Sequence, residues 1–197
     1  MADATFNVLV VCGSNSSESS TQVALLEIAR RLEQSGCAVD VLDLFGTQLP
    51  LLNPETAWSA PYYAPLKARV VQADAFILGT PDYHGSVSGT LKNFTDHFWK
   101  EFAGKLIGSV VASHEKGLTV HDQLRTIARQ CYAWAMPYGL SLEEKIDVKD
   151  GQIINEAFLN RLAMFVRDVA VYGRLLAAQR RADLAGSEPG FLARHRK

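Results

Sequence analysis

The chain has 197 residues, 48% of them hydrophobic, enough for one domain with a substantial core, and it reads as a single unit over 1–197. Twenty Lys and Arg against 21 Asp and Glu leave a formal net charge of -1, without the basic or acidic bias of a protein that binds nucleic acid or an anionic membrane. A small-molecule partner is the expectation.

Apolar runs of strand length alternate along the chain with longer amphipathic ones. They are Phe6–Cys12, Ser20–Gln34, Ala38–Leu44, Pro65–Ala73, Ala75–Leu78, Gly89–Trp99, Leu106–Ala112 and Val120–Met136. Such alternation predicts an α/β fold, a parallel sheet with helices on both faces. Val8 to Val11 is continuously apolar, as a strand covered on both sides should be, and Phe76 to Leu78, Ile107, Val110 and Val111 read alike. A last strand is expected near Tyr138–Val148. A closing helix follows from Asn155 to about Ala182, its apolar stripe formed by Phe158, Leu162, Phe165, Val166, Val169, Tyr172 and Leu176. The tail 183–197, with Gly186, Pro189, Gly190 and several charges, is expected to be mobile or to pack on another subunit.

Three loops after strands carry polar residues suited to a ligand. The first, Gly13 to Thr21, is rich in hydroxyls and opens a helix near Ser20. Ser14, Ser16, Ser19, Ser20 and Thr21, with helix N-terminal amides, supply the donors that a phosphate monoester needs. The alternative is a serine-rich cap with no ligand. In the second loop Pro81 and Gly85 punctuate the chain, while Asp82, Tyr83, His84 and Ser86 offer polar or aromatic contacts. The helix after it places Leu91, Phe94, Thr95 and Phe98 on one face, suited to a core or a subunit interface. In the third loop Ser113 and Gly117 flank His114, Glu115 and Lys116, which face either a ligand or solvent.

Other chemistries lack their patterns. Gly-x-Ser-x-Gly is absent, and so is Gly-x-Gly-x-x-Gly after the first strand. His114 and His121 stand seven apart with no cysteine or carboxylate set of the kind that holds zinc, so no metal is expected. Cys12, Cys37 and Cys131 are odd in number and far apart, which excludes a fully paired disulfide framework and fits buried thiols in a reducing compartment. No cationic, apolar leader precedes the first strand and no apolar run approaches the roughly 20 residues that span a bilayer. The expectation is a cytoplasmic protein with no membrane partner.

The segment from Pro81 to Asp96 resembles the Pro-Glu-Tyr-Asn-Gly-Ser-x-Pro-Gly-x-Leu-Lys-Asn-x-x-Asp loop of the NAD(P)H-dependent FMN reductases. Asp82 stands where that family usually has Glu, and His84 where it has Asn. Gly13, Ser14, Ser19 and Thr21 match the family's Gly-Ser-x-Arg-x-x-Ser-x-Asn/Thr pattern, with Ser16 in the place of the arginine. Ser113 and Gly117 echo the family's glycine-rich third turn. The resemblance implies a flavodoxin-like, doubly wound five-stranded parallel sheet. It implies FMN as cofactor, with its phosphate at Ser14, Ser16, Ser19, Ser20 and Thr21. The backbone from Pro81 to Val87 would run along the isoalloxazine with amides facing its polar edge, and Ser113 and Gly117 would meet the pyrimidine edge. NADPH or NADH would be the electron donor, with hydride passing to flavin N5 and electrons on to a quinone, free flavin, azo compound or similar acceptor. No protein side chain is needed as a catalytic acid or base. The resemblance also implies a homodimer or homotetramer, with Trp58, Tyr62, Tyr63, Phe98 and Trp99 as candidate lining. A flavodoxin-like electron carrier or redox-responsive FMN module without NAD(P)H oxidation stays open, as does a relative that has lost FMN.

Overall fold

The structure, a computed structural model, describes residues 5–196; the readings about a leader and about the last residue of the tail fall partly on residues outside that range. In chain order the elements are β1 (Asn7–Cys12), α1 (Ser20–Gln34), β2 (Ala38–Asp43), α2 (Tyr63–Gln72), β3 (Ala75–Pro81), α3 (Gly89–Asp96), β4 (Leu106–Ala112), α4 (Leu118–Gln130), β5 (Trp134–Ala135), β6 (Leu140–Leu142), α5 (Glu144–Asp147), β7 (Val148–Lys149), β8 (Gln152–Ile153) and α6 (Glu156–Ala185). The sheet is parallel, in the order β2-β1-β3-β4, and its fifth position is shared by β5, opposite Leu106 and Ile107, and β6, opposite Val110 to Ala112. The chain leaves β1 toward one edge and returns at β3 toward the other. Between these two strands lies the switch point at which doubly wound sheets open a crevice beyond their carboxyl ends.

The continuous apolar runs in β1 and β3 feed two cores at once. Val8, Val10, Ala75 and Ile77 pack with α1 and α6 on one face, while Leu9, Val11, Phe76 and Leu78 pack with α2, α3 and α4 on the other. Successive strand residues point to opposite faces, so a strand covered on both sides has no polar phase. Ser19 caps α1, its Oγ accepting from the Gln22 amide at 3.2 Å, and Asn155 caps α6 through the Ala157 amide at 2.9 Å. Leu91, Phe94, Thr95 and Phe98 all lie in the core under α3.

Three expectations need correction. The helix read over Val120–Met136 stops at Gln130, because Tyr132 turns into the left-handed region and Trp134 and Ala135 join the sheet. Tyr138–Val148 is not one strand: only Leu140–Leu142 pairs with β4, and α5 and a β7–β8 hairpin follow. That hairpin turns on Asp150 and Gly151, both at positive φ, the type I′ geometry that Asp-Gly favours. Tyr172 is exposed rather than part of the α6 core stripe. The described part of the tail packs on its own chain, with Leu192 buried against Gly104, Arg194 stacked 3.9 Å from the Tyr132 ring centroid, and Arg196 Nε donating to the Asp183 carbonyl at 2.8 Å.

The approach of β1 to β3 at their carboxyl ends needs glycine. A Cβ on Gly13 would lie 2.5 Å from Leu91 Cβ and 2.9 Å from the Gly79 carbonyl oxygen, to which the Gly13 amide donates at 2.8 Å. Gly13→Ala is expected to lower stability by about 2 kcal/mol or more, since backbone rather than a flexible side chain must move. A urea titration checks this, and an unchanged midpoint would contradict it.

Candidate functional site

The loops after β1, β3 and β4 meet beyond the carboxyl ends of the strands and are tied together before any ligand is considered. Ser88, buried at the start of α3, is the first tie: its Oγ donates to the Gly13 carbonyl at 2.6 Å and accepts from the Leu91 amide at 3.1 Å. The Ser88 amide donates to Thr80 Oγ1 at 2.9 Å, so one serine joins the first loop, the second loop and a helix start. Asp82 is the second tie. Its Oδ1 accepts from the Gly85 amide at 2.7 Å and its Oδ2 accepts from Ser113 Oγ at 3.0 Å, while its own amide donates to the Ala112 carbonyl at 2.7 Å.

Between Tyr83 and Ser86, which exchange backbone bonds of 3.1 and 3.2 Å, His84 and Gly85 sit at φ 56 and 77. This is a type I′ turn, a geometry that favours Asn-Gly and costs histidine more. Gln123 on α4 braces the turn from outside. Its Nε2 donates to the Gly85 carbonyl at 2.9 Å, and its Oε1 accepts from Ser86 Oγ at 3.0 Å and from the Val87 amide at 3.2 Å.

These bonds leave the His84 amide as the one N–H of 81–87 without a partner among the described contacts, so most of that backbone is turned away from a ligand. Pro81 has no N–H, and the amides of Asp82, Tyr83, Gly85, Ser86 and Val87 are all engaged within the chain. The Ser86 hydroxyl and the Asp82 carboxylate are likewise engaged within the chain. Further donors stand at two helix starts. At α1 the Ser19 side chain takes the Gln22 amide and the Ser19 carbonyl takes that of Val23, leaving the Ser20 and Thr21 amides at the open N-terminus. At α4 the N-cap position is Gly117, in the left-handed region and without a side chain to cap, and the amides of Leu118 and Thr119 begin the helix.

Two adjoining clefts receive these ends. A cavity of about 960 Å³ is lined by Tyr83, His84, Lys116, Gly117 and Leu118 among others. A narrower one of about 290 Å³ runs past Ser14, Ser16, Ser19, Ser20, Thr21 and Pro81. Asp82, Tyr83, Ser113 and His114 border both. Of the candidates in the three loops, only Ser86 stands outside the two clefts. Trp58, Tyr62, Tyr63, Phe98 and Trp99 also line neither. Trp58 meets Tyr63 edge-on at 5.0 Å, Tyr63 stacks on Phe98 at 6.0 Å, Tyr62 Oη contacts His97 Nε2 at 3.1 Å, and Trp99 packs beside Tyr132. Asn93 anchors the 49–52 segment, accepting from the Leu52 amide at 2.9 Å and donating to the Pro50 carbonyl at 3.0 Å.

Behind the third loop lies His121, which fills the break between β5 and β6 where a Cβ on Gly139 would strike its ring. His121 Nε2 and Nδ1 contact Ser141 Oγ at 3.2 Å and Ser109 Oγ at 2.8 Å. Ser141 Oγ donates to the Lys116 carbonyl at 2.6 Å, so it accepts from Nε2–H, and Nδ1 accepts from Ser109. Burial lowers the His121 pKa from its ordinary 6.5 to about 4, with the Arg125 charge adding to the effect. The neutral ring therefore props the loop at neutral pH. Among the described residues no group of three or more His, Cys, Asp or Glu could hold a metal, and no helix is long and apolar enough to cross a membrane. Cys12, Cys37 and Cys131 are buried thiols.

The model of the NADPH-dependent FMN reductase family matches residues 6–147. An FMN-dependent NADPH-azoreductase from Staphylococcus saprophyticus is 29% identical over 174 residues, covering 82% of this chain and 92% of its own. The solved flavoenzyme FerB, an NAD(P)H:acceptor oxidoreductase from Paracoccus denitrificans, superposes with a TM-score of 0.70 at 21% identity, over 86% of this chain and 97% of its own. A WrbA-like flavodoxin from Agrobacterium tumefaciens superposes with a TM-score of 0.61 at 20% identity, over 87% and 99%.

Ser88→Ala removes a helix cap and strands the buried Gly13 carbonyl, so it should cost about 1–3 kcal/mol of stability by chemical denaturation. The buried, neutral His121 stabilises the fold fully above pH 6.5, the ordinary value reached on unfolding. That contribution declines as pH falls toward about 4, because the unfolded chain then binds the extra proton. His121→Gln should flatten the dependence of stability on pH between those values. Parallel slopes for the two proteins would assign the dependence to other groups.

Proposed function

The chain belongs to the NADPH-dependent FMN reductase family and is an NAD(P)H-dependent flavin oxidoreductase; we propose that the two joined clefts at the β1–β3 switch point are its flavin site and that it reduces small acceptors such as azo compounds, quinones or free flavin. The observation that supports this most is the convergence of two open helix N-termini, those of α1 and α4, on the clefts. The donor set fits FMN. In this reading the Ser20 and Thr21 amides, with the hydroxyls of Ser14, Ser16 and Ser20, hold the phosphate in the narrow cleft, where a helix dipole favours an anion. Ser19 positions these donors by capping α1.

FMN supplies, when bound, the two-electron chemistry that couples nicotinamide oxidation to acceptor reduction. The protein's part is to place, shield and tune it. The type I′ turn from Tyr83 to Ser86, held by Asp82 and Gln123, forms a stiff wall, and the exposed ring of Tyr83 borders both clefts. The amides of Leu118 and Thr119 and the Lys116 ammonium stabilise negative charge that develops on reduction, because preorganised dipoles cost no rearrangement at that moment. Neither Asp82 nor His121 is free to move a proton, and the site works without an acid–base dyad. The larger cavity leaves room for nicotinamide and acceptor in turn. The proposal extends to one structural unit, to a cytoplasmic location and to a homo-oligomer.

The purified chain reconstituted with FMN should bleach anaerobically on adding NADPH and recolour on adding an azo dye or a quinone. Flavin that binds but stays oxidised with both NADPH and NADH would favour an electron carrier. Recolouring by quinone and not by azo dye would narrow the acceptor class.

A further inference from the structure

The narrow cleft assigned above to the flavin's phosphate is lined by no lysine or arginine among the described residues and by one imidazole, His114, yet three carboxylates border it. Asp82 spends both oxygens on Gly85 and Ser113. Glu18 and Glu144 do not: both are exposed, and neither carboxylate has a hydrogen-bond or ion-pair partner among the described contacts. Glu18 lies just ahead of α1, on the loop that carries Ser16. Glu144 comes from the opposite wall, in the first turn of α5. The lysine of the third loop, Lys116, lines the larger cavity and not this one.

We propose that Glu18 and Glu144 offset most of the attraction of this flavin site for the phosphate, so that the chain holds FMN loosely and takes the unphosphorylated flavin, riboflavin, on nearly equal terms. The inference rests on the flavin reading of the clefts. A phosphate monoester brings a charge of about -1.5 to -2 at neutral pH. Against it stand two carboxylates; for it stand hydroxyls, two amides, the His114 imidazole and the positive end of a 15-residue helix, roughly half an elementary charge. Riboflavin carries the same ring and ribityl arm and feels neither side of this balance. The net effect takes away most of what the phosphate would contribute elsewhere and leaves the ring contacts, set by the Tyr83–Ser86 turn and the start of α4, to carry binding. A flavin held in this way exchanges with free flavin.

The test titrates the full-length, flavin-free chain with FMN and with riboflavin, following quenching of flavin fluorescence, for the native protein and for Glu18→Gln, Glu144→Gln and Ser16→Arg. Each variant should tighten FMN by about three- to tenfold while leaving riboflavin where it was. Added salt should tighten FMN relative to riboflavin in the native protein, opposite in sign to a site built on cations. Equal shifts for both flavins, no shift for FMN in the two Glu variants, or native binding of riboflavin far weaker than of FMN would each overturn the proposal. A folded native chain that binds neither flavin would remove the flavin reading and the proposal with it, an outcome distinct from the other three.

Discussion

The site depends on how closely two strands approach at their carboxyl ends. β1 and β3 stay paired up to the switch point, and Gly13 joins them there, donating to Gly79 and accepting from Ser88. The side-chain-free approach fixes the first loop against the second within the length of two hydrogen bonds. Everything above the sheet inherits that distance: α1 begins where the first loop ends, and α3 begins at Ser88 itself. A looser junction would leave the two clefts as separate surface dimples.

The second loop is then made independent of any occupant. Asp82, Gln123 and the backbone of the type I′ turn satisfy nearly all its amides internally, so its shape is paid for in advance by the chain. Donors for a ligand are delegated to helix ends, which point outward without being consumed by the fold. Rigidity and recognition are thereby placed on different backbone groups. His121 extends the same division to the third loop, working from behind through Ser141.

Much of this was legible in the sequence because a single physical signal carried it. Val8 to Val11 and Phe76 to Leu78 announce doubly covered strands, and the serine-rich start of α1 sits where its capping chemistry places it. The outer strand was not legible, since a helical spacing runs on through Trp134 to Met136 and two residues of pairing are too few to interrupt it. The turn at Asp150-Gly151 carried a hairpin signal that an assumed strand masked. Among the site residues, loop composition singled out Asp82 but not its role as a staple. Ser88 and Gln123 were passed over, and His121 was weighed only as a metal ligand, because their importance comes from partners distant in sequence, at separations such as 75 residues for Ser88 and Gly13. The motif at Ser88-Gly89 offered the one available cue, a capping serine directly before a helix.

The split outer position of the sheet also bears on how the molecule avoids its own kind. An exposed strand edge is a template for pairing with another copy, and parallel sheets have two such edges. Here one edge is broken into pieces of two and three residues around Pro137, which has no N–H to offer. The other, β2, is six residues long, and Arg69 reaches over it to hold Asp40 through two bonds of 2.7 Å and the Val41 carbonyl at 2.9 Å. One side is too short to recruit a strand and the other is already occupied by a guanidinium. Each edge thus carries a feature that hinders pairing with another copy, by unrelated means.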